Sequence, residues 1–376
     1  MATLDDLGTR ELPSLEHPLE AGWTLPAAWY TEPAVLALEH QRIFASTWQY
    51  AGPAAQVEEA GSYFSSVAGH IPVVVTRDGD GELRGFVNVC RHRGHLVAQG
   101  SGCRATLQCP YHAWTYGLDG TLVRAPRSER EPGFDPAGLS LLPVSVETWG
   151  PFVFVNPDAR AAPLSDTLGP VPGHVATSGV DLAELRYHSH FEWEQDVNWK
   201  VALENYLECY HCPVAHPGFS KVIDVDPDSY TLAPDRWTSS QLAPVRSRAL
   251  DGRSGGAYDP RGDVTQSQYH FVWPNTTINI TPGPQNLSIE RWVPLGVRKT
   301  VEVTDYFFGP DVAEERIQEV VAFDTQVATE DVALTESVQK GLDSGTVTQG
   351  RLMGESEQLI AAFQRNVHEA VLNGSR

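Results

Sequence analysis

Hydrophobic and polar positions along the chain fall into two textures. Between about residues 46 and 157, short β-branched and aromatic runs at 63–67, 71–76, 83–89, 113–116, 121–123, 141–147 and 151–155 alternate with turn-forming residues. That is the pattern of a small all-β unit. Asp78-Gly79-Asp80-Gly81 joins two of the runs as a hairpin, and Gly117-Leu118-Asp119-Gly120 marks another turn. Arg84 stands where a dinucleotide fingerprint would need its third glycine, so Gly79 and Gly81 read as turn residues.

Further along, the periods lengthen. Residues 187–194 alternate as a strand, and the stretch from Asp196 reads as a helix that carries Val197, Val201, Leu203 and Leu207 and stops before Pro213. Strands are expected at 268–273, 276–280, 287–293 and 300–308, a long helix at 311–342 and a last helix at 357–372. Residues 33–47 form a helical stripe, 158–173 read as a linker or surface crossing, and 217–265 read as loops. The expected domains are an N-terminal segment, 1–45, the β unit, 46–157, and an α+β unit, 158–376, built from an antiparallel sheet and long helices.

Composition narrows the function. With 376 residues, 41% hydrophobic and 20% charged, the chain fits a soluble globular protein of two or three domains. A formal net charge of -21 argues against nucleic acid, since phosphate binding needs a basic patch. No basic, apolar leader opens the sequence, and the apolar runs are too short for a bilayer, so neither secretion nor a membrane is expected. Five cysteines, an odd number, suit a reducing cytoplasm better than a disulfide framework, and some of them should be ligands.

Cys90-Arg91-His92 and Cys109-Pro110-Tyr111-His112 each close a strand run, with 16 residues between His92 and Cys109. Two thiolates and two imidazoles can bind zinc, or a two-iron, two-sulfide centre in which the histidines take one iron. One Cys and one His from each arm is what a centre needs if each loop is to reach both irons. Cys103, between the arms, reads as a packing residue.

A second centre is suggested by Glu204, Glu208, His211 and His216. On a continuous helix the first three share a face, and Pro213 should break the helix so that a turn brings His216 back. Two imidazoles and one carboxylate form the facial triad of oxygen-activating ferrous sites. The long helix offers Glu330, Asp331 and Glu336 as the carboxylate. Adjacent helical residues point about 100° apart, so only one of Glu330 and Asp331 can face a metal, and physics alone does not choose. Cys209 and Cys212 flank His211 without the βαβ context of a redox motif and read as packing residues.

Asn88 through Gly94, Cys109 through Trp114, Glu204 through His216, and Glu330-Asp331 with Gln339 and Gly341 together resemble the catalytic alpha subunits of Rieske non-haem iron oxygenases. The resemblance spans most of the chain. It implies a Rieske [2Fe-2S] domain held by Cys90, His92, Cys109 and His112, then a helix-grip catalytic domain against which the N-terminal segment packs. It implies a mononuclear Fe(II) held by His211, His216 and Asp331, with Glu330 and Glu336 left on a solvated helix face. Glu208 matches the acidic residue that links a Rieske histidine of one subunit, here His92 or His112, to an iron-ligand histidine of the next, so a homotrimer is expected.

Glu at that bridge, rather than Asp, resembles the branch acting on choline, glycine betaine, carnitine and proline betaine, and weakens any expectation of arene cis-dihydroxylation. No nicotinamide or flavin site is legible, so electrons from NAD(P)H should arrive through a separate reductase or ferredoxin. The expected activity is hydroxylation by dioxygen, with N-demethylation of an N-methyl amine first, aromatic hydroxylation or O-demethylation second, and simple electron transfer as the non-oxygenase alternative. Cation–π partners for such a substrate come from Tyr206, Tyr210, Phe271, Trp273, Tyr306 and Phe307, any one of which reads more readily as sheet core.

Overall fold

The computed structural model describes residues 15–246, 258 and 262–373. The expectations for 1–14, and for 247–257 and 259–261 of the loop-rich stretch, lie outside the described residues. The chain divides into two compact units, Phe44–Leu164 and a second that joins Met1–Ile43 to Ser165–Arg376.

In the first unit, β1 (Gln49–Pro53), β2 (Ser62–Ala68), β3 (Ile71–Arg77), β4 (Leu83–Val87), β5 (Ser101–Cys103), β9 (Pro143–Trp149) and β10 (Phe152–Asn156) form an antiparallel sheet. Its order is β1-β10-β9-β4-β3-β2-β5. A smaller sheet contains β6 (Thr106–Gln108), β7 (Thr115–Gly117) and β8 (Leu122–Arg124) in that order. Strand alternation splits β3 between two cores. Val73 and Val75 pack with Phe64, Val153 and Val155, while Val74 packs with Phe86, Leu107, Tyr116 and the two cluster-loop thiols, Cys90 and Cys109. The β3–β4 hairpin turns at Asp78, whose Oδ1 accepts the N–H groups of Asp80 and Glu82. Cys103 lies exposed on β5, so the expectation that it packs does not hold. Its strand is an edge strand, paired on one side only.

The second unit is built on a seven-stranded sheet in the order β11-β17-β16-β15-β14-β13-β12. Its strands are β11 (Arg186–Gln195), β12 (Thr231–Pro234), β13 (Thr238–Pro244), β14 (Gln266–Val272), β15 (Thr276–Ile280), β16 (Asn286–Gly296) and β17 (Lys299–Phe308). Every neighbouring pair is antiparallel. Four helices concern the site: α1 (Pro33–Glu39), α2 (Trp199–Tyr206), α3 (Glu314–Asp343) and α4 (Gln358–Asn373). Within this unit α1 is pinned to α2 by a buried ion pair, Lys200 Nζ to Glu39 Oε1 at 2.5 Å, with both side chains fully enclosed. Trp199 Nε1 donates to the other Glu39 oxygen at 2.7 Å.

Three expectations need correction here. The supposed linker carries helical turns, Leu164–Leu168 and Val171–Ala176, that bury Leu168, Val171 and Val175. β12 and β13 fall in the stretch read as loops, because β13 buries Ser239, Ser240 and Gln241 rather than an apolar face. The helix expected at 33–47 is α-helical only to Glu39 and continues as a π turn, His40–Phe44. Among the described residues no helix is long and apolar enough to cross a membrane.

Candidate metal centres

Two loops of the first unit adopt one design. Cys90 follows β4 and Cys109 follows β6. Gly94 N–H bonds Cys90 O at 3.0 Å, and Ala113 N–H bonds Cys109 O at 3.0 Å. Each loop therefore closes four residues after its cysteine, and the closing residue has positive φ, 74° at Gly94 and 55° at Ala113. Both thiols are buried, whereas His92 and His112 are exposed with ring centroids 4.6 Å apart. Trp114 stacks on His92 at 5.0 Å and 9°. The Tyr116 hydroxyl lies 3.4 Å from Cys90 Sγ and accepts the Arg91 N–H at 3.0 Å. Burial and the neighbouring Cys90 push the Cys109 thiol up, and neither cysteine is in a disulfide. Two inner thiols under two outer imidazoles fit a two-iron centre whose buried iron takes sulfur and whose outer iron takes nitrogen.

In the second unit α2 is capped by Asn198, whose side chain accepts the Lys200 N–H. It ends at Tyr206, earlier than the sequence pattern implied. The cause is Glu208. A continuing helix would send the Tyr210 and His211 N–H groups to carbonyls four residues back. Here both go to Glu208 Oε2, the His211 bond at 3.2 Å. The shared helix face of Glu204, Glu208 and His211 therefore does not form. Glu204 instead lies half-buried between the Tyr30 hydroxyl at 2.7 Å and Gln364 Nε2 at 3.0 Å, and desolvation raises its pKa to about 7. Pro213 occupies the first turn of a new short helix, Cys212–Ala215, rather than ending one. Cys209 and Cys212 do pack among Phe219, Val222 and Ile223, but they are also joined by a disulfide, which the sequence reading did not anticipate. Their three-residue separation across the turn brings the Cα atoms to 4.9 Å, within bridging range.

His211, His216 and Asp331 converge. His211 Nε2 lies 3.1 Å from His216 Nε2, and Asp331 Oδ1 lies 2.9 Å from His216 Nε2 and 3.4 Å from His211 Nε2. Donors at about 2.1 Å on adjacent octahedral positions stand about 3.0 Å apart, so this trio fits one metal ion in a facial arrangement. Each imidazole is held from behind by a second carboxylate: Glu208 on His211 Nδ1, and Glu330 on His216 Nδ1 at 2.7 Å. Such partners fix tautomer and ring orientation. Burial disfavours charge on His211, yet Asp331 and Glu208 outweigh it and raise its pKa to about 9. Burial likewise opposes charge on Asp331, and the two imidazoles hold its pKa below the ordinary carboxylate value.

Glu330, expected on a solvated face, instead orients a histidine. Glu336 accepts a long bond, 3.4 Å, from the Asp196 N–H. Asn205, which the sequence reading passed over, donates to Asp331 Oδ1 at 2.8 Å. Its place one turn before Glu208, on the last turn of α2, is the signal that was available.

Beside this trio lies a cavity of about 160 Å³. Helix α3 contributes Asp324, Val327, Ala328, Asp331 and Thr335, at spacings of three and four that define one helix face. The rings on its wall are Tyr206, Phe219, Tyr230, Tyr258, Tyr269 and Trp292. Of the aromatic candidates named from sequence only Tyr206 is among them. Phe271 and Trp273 pack on Phe363 of α4, Tyr306 and Phe307 are buried outside the cavity wall, and Tyr210 is exposed.

Comparison with known proteins agrees with this geometry. Residues 47–146 match the Rieske [2Fe-2S] domain, and residues 182–373 match the ring hydroxylating alpha subunit (catalytic domain). Choline monooxygenase of Atriplex hortensis is 34% identical over 361 residues, 94% of this chain and 79% of the relative. The carnitine monooxygenase oxygenase subunit of Acinetobacter pittii (strain PHEA-2) is 34% identical over 359 residues, 93% of this chain and 95% of the relative. A crystal structure of the quaternary ammonium Rieske monooxygenase CntA superposes with a TM-score of 0.85 at 31% identity, covering 96% of this chain and 99% of that one. Naphthalene 1,2-dioxygenase from Rhodococcus shares the fold, with a TM-score of 0.78 at 20% identity. A Rieske cluster domain followed by a sheet-and-helix domain with a two-histidine, one-carboxylate trio, matched along nearly its whole length by such relatives, places this chain in the family of Rieske non-haem iron oxygenase alpha subunits.

Proposed function

We propose that the chain is the terminal oxygenase of a system that oxidises a small N-methylated ammonium compound, working as a homotrimer fed by a separate NAD(P)H-dependent reductase or ferredoxin. The observation that carries the substrate class is the aromatic wall beside His211, His216 and Asp331. Ring faces attract a quaternary ammonium ion, which offers no N–H for a hydrogen bond. The names of the relatives, choline and carnitine monooxygenases, support the same reading.

In this reading Cys90, His92, Cys109 and His112 hold the cluster, and His211, His216 and Asp331 hold the iron. Together these groups, when bound, supply the reductive activation of dioxygen. The chain's own residues orient and shield. Glu330 and Glu208 hold the two imidazoles so that both Nε2 atoms point at one spot, and Asn205 steadies Asp331. Glu208 is also the proposed link to a neighbouring subunit's cluster histidine. Its side chain is 10% exposed, with both oxygens already fixed, so it presents a preset acceptor.

One atom of dioxygen enters a substrate C–H bond and the other leaves as water, using two electrons from the reductase and two protons from solvent. If the carbon attacked is an N-methyl group, the carbinolamine falls to formaldehyde and the demethylated amine.

The test is a substrate panel on the iron-loaded enzyme with a surrogate reductase, scoring oxygen uptake and formaldehyde together. Uptake with quaternary amines and none with aromatic acids is expected. The opposite pattern overturns the reading.

A further inference from the structure

The cavity wall holds three acids that the chemistry above does not use. Glu290 and Glu302 sit on neighbouring strands β16 and β17, and Asp324 sits on α3. Each of these carboxylates is held by neutral donors. Glu290 accepts from Thr277 at 2.5 Å and Asn279 at 2.7 Å. Glu302 accepts from Gln195 at 3.0 Å and Thr304 at 3.2 Å. Asp324 accepts from the Tyr258 hydroxyl at 2.9 Å. No Lys or Arg lines the cavity among the described residues. Burial raises Glu290 and Asp324 to about 7 and Glu302 well above the ordinary value, and Glu290 opposes the ionisation of both its neighbours.

Two buried carboxylates and a half-buried third, all fixed by neutral donors, are short of positive charge. A carboxylate on the ligand would meet them with no counter-charge.

We infer that this cavity selects net-cationic substrates that lack a carboxylate, with Asp324, Glu290 and Glu302 as the counter-charge, and disfavours zwitterionic betaines. The inference rests on the reading of the chain as an N-methylammonium oxygenase and narrows it. Asp324 and Asp331 are seven residues apart on one face of α3, about 10 Å along the axis. A trimethylammonium head placed between them has its methyl groups toward Asp331 and its charge within reach of Asp324. Small Ala328 leaves the room between.

The experiment is anaerobic calorimetry on the iron- and cluster-loaded enzyme with three ligands of nearly equal size: choline, glycine betaine and the neutral isostere 3,3-dimethylbutan-1-ol. Choline is expected to bind at least about tenfold tighter than either of the others. Asp324→Asn and Glu290→Gln, which keep the neutral hydrogen-bond partners, should each weaken choline by about tenfold and leave the isostere unchanged. Iron content and the cluster spectrum report on folding. If one variant does not fold, the other and the ligand series still decide.

Betaine binding as tightly as choline overturns the inference, as does choline affinity that survives both substitutions. Oxygen uptake with glycine betaine or carnitine but not with choline also sinks it, while leaving the N-methylammonium reading intact. Tight, Asp324-dependent choline binding with neither oxygen uptake nor formaldehyde sustains the charge rule and sinks that reading instead.

Discussion

The two metal centres are built on opposite plans. The proposed cluster site spans residues 90–112 and is made of two short loops, each closed by its own backbone four residues after its cysteine. The proposed iron site draws His211 and His216 from one turn and Asp331 from a helix more than a hundred residues later, and its cavity wall comes from six strands, α2 and α3. A local site is specified by backbone geometry and tolerates little change in spacing. A dispersed site is specified by packing, so it depends on the carboxylates that hold its ligands in place. Substitutions that separate those two dependencies are the sharpest checks.

The largest effect is expected at Asp331. Asp331→Ala should take iron from about three to about two per chain and leave the cluster's visible and paramagnetic spectra intact. Turnover should fall by more than about 100-fold, since losing even an orienting partner costs 10–100-fold. Loss of the cluster signal in this variant would mean the two sites are not independently assembled. If Glu330→Ala removes the iron and Asp331→Ala does not, the choice of ligand is wrong.

Next comes the ion pair that fixes α2, and with it the turn bearing both histidines. Lys200→Met leaves Glu39 buried with only Trp199 as partner and should cost about 3–5 kcal/mol. The sign of its pH dependence follows from Glu39. Burial raises its pKa and Lys200 opposes that rise. Without Lys200 the carboxyl takes up a proton more readily, which removes the unpaired charge. Stability of the variant should therefore be best at low pH and fall as pH rises past the raised pKa. Chemical denaturation of wild type and variant at pH 6 and pH 8 measures it. An equal deficit at both would show that the lost packing, not the charge, matters.

How much of this was legible follows the same division. The proposed cluster ligands stand out because four chemically rare residues sit at short, matched spacings. The strands of the first unit were readable because alternation along β3 serves two apolar cores, Val73 and Val75 on one side and Val74 on the other. The dispersed site was only half legible. Glu208, His211 and His216 stand together in sequence, but nothing local shows that Glu208 captures two backbone N–H groups and ends α2, or that Glu204 turns to Tyr30 and Gln364. Glu330 and Asp331 look alike on a helix. What separates their roles is that Asp331 reaches the Nε2 atoms and Glu330 the Nδ1 of His216, a distinction made by tertiary placement. The polar strand β13 was missed because its buried face is Ser and Gln, which carries no hydrophobic period.

A smaller effect is expected from the carboxylates behind the imidazoles. Glu330→Gln should weaken iron binding by about 10–100-fold, because an amide oxygen accepts from His216 Nδ1 less strongly than a carboxylate. Glu208→Gln should weaken iron similarly and, if Glu208 is also the intersubunit link, slow reoxidation of the reduced cluster in a single turnover at saturating iron. Glu330→Gln should not. Equal slowing in the two variants would reduce Glu208 to a positioning residue.

The smallest effect tests whether the two cluster loops really are one design. Gly94 and Ala113 occupy the same place in their loops, and both have positive φ. A Cβ on Gly94 would meet nothing within 4 Å, so Gly94→Ala is charged with backbone strain alone, about 1–2 kcal/mol. Ala113→Gly removes that strain but adds freedom to the unfolded chain worth about 0.4–1 kcal/mol, so its net effect should be near zero or slightly stabilising. Thermal unfolding of both variants with the cluster bound, followed by its visible absorbance, makes the comparison. If Ala113→Gly destabilises as much as Gly94→Ala, the alanine methyl is packing against something the glycine loop does without. The resemblance between the loops then stops at the ligands. If the two variants split as expected, the backbone of a five-residue turn, and not the packing around it, is what places each Cys and His.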